Sequence, residues 1–219
     1  MPSHLVTVAI SVFMFIYIPF KIRKNPQADW VNYFCKILGL LLIGNELGWI
    51  LYKYNTIGGT WAEYMPFELC TINAYLLGFL LIFHPAYAVF EVVYFFSLAG
   101  TVQGIITPRL FAAFPHYLFW EYFITHTGIV LGALVLIFRY NWKVTWLSLW
   151  RAFFWLQVIA FFNLVFLQNV FAFIFAIWSH KKGNLGTNEK TSIEGIIAPG
   201  VLTLLSALLC YGLADKIYY

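Results

Sequence analysis

The sequence predicts an all-α membrane protein, a bundle of seven transmembrane helices in a single domain over residues 1–219, with the N-terminus outside and the C-terminus inside. Two observations lead to this fold class. Apolar residues make up 62% of the chain and charged residues only 10%, whereas soluble domains are about 45–50% apolar and about 25% charged. The apolar residues also gather in runs that approach the roughly 20 residues needed to cross a bilayer. These two features exclude a soluble domain, a disordered chain and an outer-membrane barrel.

Seven apolar segments account for most of the chain. In order, they are residues 4–21, 30–53, 61–83, 86–107, 117–139, 146–168 and 194–217. Charged residues, Gly and Pro separate them, in the breaks Lys21 to Asp29, Asn55 to Gly59, His84-Pro85, Pro108 to Pro115, Arg139 to Lys143 and His180 to Lys190. The first segment is a helix rather than a signal peptide, because no basic residues precede it and Lys21, Arg23 and Lys24 close it. Residues 169–179 either extend the sixth span or lie along the interface.

Basic residues in the short loops predict the orientation. With the N-terminus outside, the cytoplasmic side holds Lys21, Arg23, Lys24, Arg139, Lys143, Arg151 and Lys216. The other side holds fewer, namely Lys53, Arg109, Lys181, Lys182 and Lys190. Aromatic residues suited to the membrane interface stand near span ends, at Trp30, Trp61, Tyr117, Trp142 and Trp146. We expect the plasma membrane of a bacterium, or the endoplasmic reticulum if the source is a eukaryote.

The net charge of +4 is spread along the chain in small clusters. Nucleic-acid binding would require a basic stripe or patch, so no nucleic-acid partner is expected. The three cysteines, Cys35, Cys70 and Cys210, fall in separate apolar segments without the spacing of a metal site. We therefore expect free thiols, no metal and no organic cofactor.

Polar residues within the spans gather at one depth, and such residues mark a cavity or pathway in membrane proteins. Cys70 lies nine residues after Trp61 in the third span, and His126 lies nine residues after Tyr117 in the fifth. These spans run in the same direction, which places both side chains roughly 14 Å from the same surface. The other polar residues in this half of the membrane are Glu46, Gln103 and Asn163.

Helical spacing also groups these residues by face, because residues three or four apart are neighbours on a helix. The pairs are Cys70 with Asn73, Gln103 with Thr107, and Tyr122 with His126. A thiol beside an imidazole that accepts its proton is the usual arrangement of a cysteine nucleophile. A cysteine in a membrane helix is also commonly a packing residue, and Cys35 and Cys210 are interpreted that way. Glu46 and Glu91 either serve a site or only bond neighbouring helices, and Arg151 either serves a site or extends to the interface.

Four motifs in their order along the chain resemble the transmembrane protein 164 family, over about residues 60–155. They are Met65-Pro-Phe-Glu-Leu-Cys70, Tyr94-Phe-Phe-Ser-Leu-Ala-Gly-Thr-Val-Gln103-Gly-Ile-Ile-Thr107-Pro108, Phe119 to His126-Thr-Gly128, and Trp146-Leu-Ser-Leu-Trp-Arg151. The run Ala-Gly-x-x-Gln-x-x-x-Thr-Pro is the most specific of them. Downstream of about residue 165 the resemblance is poor.

The resemblance implies a heptahelical membrane acyltransferase that acts on phospholipid and lyso-phospholipid substrates. The cysteine and histidine that the family's animal member uses match Cys70 and His126. In the mechanism that we expect, His126 takes the thiol proton and Cys70 forms an acyl-thioester. The expected hydrogen-bond donors to the oxyanion or substrate are Asn73, Gln103, Thr107 and Asn163, and the expected supporting residues are Glu46, which would orient the imidazole, Tyr122 and Arg151.

Two other function classes stay open. A polar pocket among seven spans would also serve a transporter or receptor for a small molecule, although the chain lacks the two matching halves expected of repeat-built transporters. A helix-packing scaffold for a partner is the third reading. The sequence leaves open the acyl donor and acceptor, the choice between transfer and hydrolysis, and the oligomeric state.

Overall fold

The structure, a computed structural model, describes residues 2–56, 68–83, 85–108 and 110–162. These residues form six helices and their connections, with no strand among them. The helices are α1 (Pro2–Lys24), α2 (Asp29–Thr56), α3 (Leu69–Ile82), α4 (Tyr87–Ile106), α5 (Tyr117–Tyr140) and α6 (Trp146–Phe162).

The predicted all-α membrane protein is confirmed in its class. Helices α1, α2, α4 and α5 are long and apolar enough to cross a membrane, and α3 and α6 are shorter apolar helices. The predicted seventh span, 194–217, lies outside the described residues. The same holds for residues 61–67 and 163–168 of the third and sixth spans, and for residues 169–179. The number of seven spans and the orientation of the termini therefore stay predictions.

Local sequence explains where α5 begins and ends and where α6 begins. At the start of α5, Nδ1 of His116 accepts a hydrogen bond from the backbone amide of Leu118 at 3.2 Å. At its end, Asn141 adopts the left-handed conformation (φ 51°) that asparagine tolerates at a helix terminus. Before α6, the side chains of Thr145 and Ser148 each accept a hydrogen bond from the other's amide, at 3.3 and 2.9 Å, which is a capping box.

Helices α2 and α3 approach closely where two glycines face each other. A Cβ atom on Gly39 would lie 2.7 Å from the carbonyl oxygen of Gly78, and one on Gly78 would lie 2.6 Å from Cγ1 of Ile43. Small residues allow this kind of backbone contact between membrane helices. The pair packs against α5, where Leu42, Leu77 and Ile129 are fully buried.

Helices α1 and α6 flank this centre. Helix α1 is joined to α5 by a hydrogen bond between the hydroxyls of Ser11 and Thr127 at 2.8 Å. Its outer face leaves large apolar side chains exposed, which suits contact with lipid; these are Leu5, Val6, Ile10, Phe13, Ile16 and Phe20. Helix α6 packs on α4, and in the connection before α6 the carbonyl of Lys143 accepts a hydrogen bond from the Tyr87 hydroxyl at 2.5 Å.

Helix α4 contains one irregular turn. Residues Phe96–Thr101 form a π-helical turn between two α-helical parts. The Thr101 hydroxyl donates to the carbonyl of Phe96, five residues back, at 3.3 Å. A π turn inserts about one residue into a helix and is frequent at functional sites. The turn falls within the longest of the four sequence motifs.

Candidate functional site

A cavity of about 510 Å³ opens where α2 ends and where α3 and α5 begin. We call it the Cys70 cavity. Four of the residues predicted for the site lie on its wall, namely Glu46, Cys70, Tyr122 and His126. The other lining residues are Trp49, Lys53, Glu68, Leu69, Thr71, Phe111, Leu118, Glu121 and Thr125.

Cys70 is the second residue of α3, so its thiol stands at a helix N-terminus. The first amide bonded in the manner of the helix is that of Ile72, which donates to the carbonyl of Glu68 at 3.0 Å. The amides of Leu69, Cys70 and Thr71 therefore have no acceptor within the helix. Together with the helix dipole they form a partly positive region beside the thiol.

The imidazole of His126 is held in one orientation by Tyr122. Its Nδ1 lies 2.8 Å from the carbonyl oxygen of Tyr122, and the two rings stack with centroids 4.0 Å apart. Because a carbonyl oxygen can only accept, Nδ1 must carry the proton. In the neutral ring, Nε2 then keeps its lone pair and is the atom that can accept a proton.

Gly104 of α4 also lies close to this ring. A Cβ atom at Gly104 would lie 2.9 Å from Cδ2 and 3.3 Å from Nε2 of His126. The Tyr122 hydroxyl donates to the Gly104 carbonyl at 2.8 Å. Only glycine allows α4 to pass this close to the imidazole, so Gly104 and Tyr122 together set where Nε2 lies.

Glu46 lies on the cavity wall but is bonded differently from the prediction. Its Oε1 accepts a hydrogen bond from the Thr125 hydroxyl at 2.9 Å. Thr125 accepts in turn from Nδ2 of Asn45 at 2.8 Å, and that amide also donates to the carbonyl of Glu121 at 3.0 Å. The expectation that Glu46 orients the imidazole is corrected: the carbonyl of Tyr122 occupies Nδ1, and Glu46 instead joins α2 to α5.

Three of the expected hydrogen-bond donors are not on the wall of the Cys70 cavity. Asn73 is fully buried and donates to the Ser97 hydroxyl at 3.0 Å. Gln103 and Thr107 are exposed, and the Thr107 hydroxyl donates to the Gln103 carbonyl at 2.9 Å. The π turn supplies the physical reason for these two, because one extra residue rotates the following face of α4 by about 100°. Asn163 lies outside the described residues.

Arg151 belongs to a different part of the molecule. Its Nη1 pairs with the buried Glu91 carboxylate at 2.6 Å. The same carboxylate accepts from the Ser148 hydroxyl at 2.5 Å. The expected supporting role of Arg151 in the site is therefore corrected, because this contact fixes α6 to α4. Glu91 bonds neighbouring helices, which is one of the two interpretations that the sequence leaves open for it.

Sequence reasoning missed several polar residues of the cavity. Thr71 was missed because the start of α3 at Leu69 has no clear signal in the sequence. Glu121 carried a signal that was overlooked, since a carboxylate inside an apolar span is costly unless it faces a cavity. Within the described part of the chain, no three His, Cys, Asp or Glu side chains are grouped as a metal site would need.

The comparisons with known proteins give one match. The model of the TMEM164 family matches residues 1–211, so the similarity extends well beyond the 60–155 region that the motifs cover. No curated protein and no solved structure matched the chain. Because the family model covers nearly the whole sequence, this protein belongs to the TMEM164 family.

Proposed function

We propose that this protein is a membrane phospholipid acyltransferase that carries the acyl group as a thioester on Cys70, with His126 as the base. The observation that carries the proposal is that a thiol at a helix N-terminus and an imidazole with its Nε2 lone pair available line one cavity. The two residue types are those that the family resemblance implies for acyl transfer.

In the first half-reaction, Nε2 of His126 accepts the thiol proton and the Cys70 sulfur attacks the carbonyl carbon of a phospholipid ester. This attack forms the C–S bond of a tetrahedral intermediate. The intermediate then collapses, and the C–O bond of the ester breaks. The leaving lyso-phospholipid oxygen takes the proton from His126. The products of this step are an acyl-thioester on Cys70 and a lyso-phospholipid.

The backbone of α3 supports the charged intermediate. The amides of Cys70 and Thr71 have no acceptor within their helix and lie next to the sulfur in the chain. Amides of this kind stabilise an oxyanion, and the loss of one such donor in other enzymes costs about 100- to 1000-fold in rate. We therefore assign the oxyanion role to these amides rather than to Asn73, Gln103 or Thr107.

In the second half-reaction, the hydroxyl of an acceptor lyso-phospholipid gives its proton to His126 and attacks the thioester. The C–S bond breaks, the new ester forms, and the Cys70 thiolate recovers the proton. Water in place of the lyso-phospholipid would release a free fatty acid instead. Both routes use the same residues, and the acceptor alone decides between transfer and hydrolysis.

The test uses the purified full-length protein with a phospholipid labelled in one acyl chain and a lyso-phospholipid acceptor. Cys70→Ala is expected to lower acyl transfer at least about a thousandfold, the effect of removing a covalent nucleophile. Cys35→Ala is the matched control, because Cys35 is buried on α2 against Nη1 of Arg139 and does not line the Cys70 cavity. Full activity of Cys70→Ala would overturn the assignment.

A transporter or receptor for a small molecule is the second candidate, and one observation favours it. The cavity wall carries three carboxylates, from Glu46, Glu68 and Glu121, which acyl transfer does not require. Thiol labelling separates the two functions. A catalytic Cys70 reacts with iodoacetamide faster than Cys35 and more slowly after His126→Asn, whereas equal rates in all cases would favour transport.

A further inference from the structure

We propose that a second pocket, at the opposite end of α5 from the Cys70 cavity, binds the headgroup phosphate of an anionic glycerophospholipid. This pocket has a volume of about 410 Å³. We call it the basic pocket, and its wall consists of Arg23, Pro26, Ile137, Phe138, Arg139, Asn141 and Lys143.

Three cationic side chains lie on the wall of this pocket, one from the end of α1 and two from the end of α5 and the connection after it. Arg23 comes from the last turn of α1, Arg139 from the last turn of α5, and Lys143 from the connection that follows. No carboxylate is among the lining residues. Like charges on the wall of one pocket repel each other, and an anion between them relieves this repulsion.

Arg139 is the strongest indication of an anionic ligand. The hydrogen bonds that its guanidinium makes in the described part of the chain go to neutral atoms, Sγ of Cys35 at 3.1 Å and Oδ1 of Asn32. Its Nε is buried and has no hydrogen-bond partner among the described residues. A guanidinium in a membrane protein is costly without a negative partner, and its planar donors match the oxygens of a phosphate.

The surroundings favour a lipid over a soluble phosphate. Pro26, Ile137 and Phe138 give the pocket an apolar side beside its cations, which fits the glycerol and upper acyl region of a lipid. Trp30 stands in the first turn of α2 and Trp142 in the connection that follows α5, and Nζ of Lys21 lies 5.4 Å from the ring centre of Trp30. Tryptophan and lysine together are typical of the headgroup level of a membrane. Basic pockets between helices at this level bind anionic headgroups.

The basic pocket is separate from the proposed reaction centre. It shares no lining residue with the Cys70 cavity. Arg139 follows His126 by 13 residues on the same helix, a distance of about 20 Å along its axis. A lipid phosphate held there is therefore out of reach of the thiol and acts as a structural ligand of the bundle.

The experiment measures binding of dioleoyl phosphatidylglycerol to the purified full-length protein in detergent by native mass spectrometry. Dioleoyl phosphatidylcholine and inorganic phosphate are the comparison ligands. We expect phosphatidylglycerol to bind at least about tenfold more tightly than phosphatidylcholine. Arg23→Gln and Lys143→Gln should each weaken that binding about fivefold, as expected for one basic residue at a membrane surface.

Lys24→Gln is the matched control. Lys24 is exposed, follows Arg23 directly and does not line the pocket, so this variant should bind phosphatidylglycerol within twofold of the unchanged protein. Arg23, Lys24 and Lys143 are all exposed, so their substitution does not threaten folding. Equal affinity for the two lipids, an equal loss in Lys24→Gln, or inorganic phosphate binding as tightly as phosphatidylglycerol would each overturn the proposal.

Discussion

Two polar clusters inside this apolar protein differ in what surrounds their carboxylates. Between α4 and α6, the buried Glu91 carboxylate is bonded on one oxygen by Ser148 and on the other by Arg151. At the Cys70 cavity, Glu46 and Glu121 lie with a thiol and an imidazole around a space of about 510 Å³. In the first cluster both carboxylate oxygens are bonded, one of them to a cation, whereas the second has Lys53 on its wall and no ion pair from the described residues to its carboxylates. The second leaves room for a ligand.

The difference separates structural polar groups from functional ones. A buried charge that is paired and hydrogen-bonded joins its helices and requires nothing further. Polar groups that face a cavity are retained at a cost, and in membrane proteins such groups mark sites and pathways. On this basis Arg151 belongs to the framework, whereas Cys70 and His126 belong to the candidate site.

The largest effect among variants other than Cys70→Ala is expected for His126→Asn. Removing the general base should lower acyl transfer about 100- to 1000-fold and leave the thermal stability nearly unchanged. His116→Asn is the matched control, since His116 caps the start of the same helix directly before Tyr117 and is absent from the cavity wall. Equal losses of acyl transfer in His126→Asn and His116→Asn would contradict the view that the polar groups of the Cys70 cavity are the functional ones.

Gly104→Ala tests whether the position of the imidazole matters. The added methyl group would meet Cδ2 of His126 at 2.9 Å and the Tyr122 hydroxyl at 3.1 Å. Displacement of the ring should lower acyl transfer about ten- to hundredfold. Gly100→Ala, on the same helix, has no atom within 4 Å of the added carbon and should retain activity within about twofold. Unchanged activity in Gly104→Ala would contradict a requirement for this ring position.

The smallest effect on activity is expected at the other cluster. Arg151→Gln leaves Glu91 buried without its cation and should lower the free energy of unfolding by about 1–3 kcal/mol, with activity per folded molecule unchanged. The paired variant Glu91→Gln with Arg151→Gln removes the unpaired charge and should recover part of that stability. The free energy of unfolding of the single and the paired variant is measured in a denaturing detergent. A loss of activity without a loss of stability would show that Arg151 supports the site, as the sequence predicts.

Much of the framework could be predicted because it follows from local patterns. Apolar runs and their breaks gave the ends of α1, α2, α4 and α5 to within three residues. Spacing of four residues placed Tyr122 and His126 on one face, and their rings stack in the structure. Counting depth from the span ends related Cys70 to His126, and both line one cavity; their catalytic roles stay a prediction.

The remainder depends on irregular geometry that spacing does not encode. Depth counting assumed regular α-helices, whereas α4 contains a π turn, and Gln103, two residues after that turn, is exposed. The partner of Arg151 is a carboxylate 60 residues away, and pairing at that separation follows from helix packing alone.

The central claim is a covalent acyl group on Cys70, and mass spectrometry of the acid-quenched protein tests it most directly. After brief incubation with a phospholipid that carries a deuterated acyl chain, the account predicts the acyl mass on the peptide that contains Cys70. Neutral hydroxylamine should release it, and neither Cys70→Ala nor a denatured sample should carry it. Acyl transfer that proceeds with no label on this peptide, or with the label on another residue, would contradict the account.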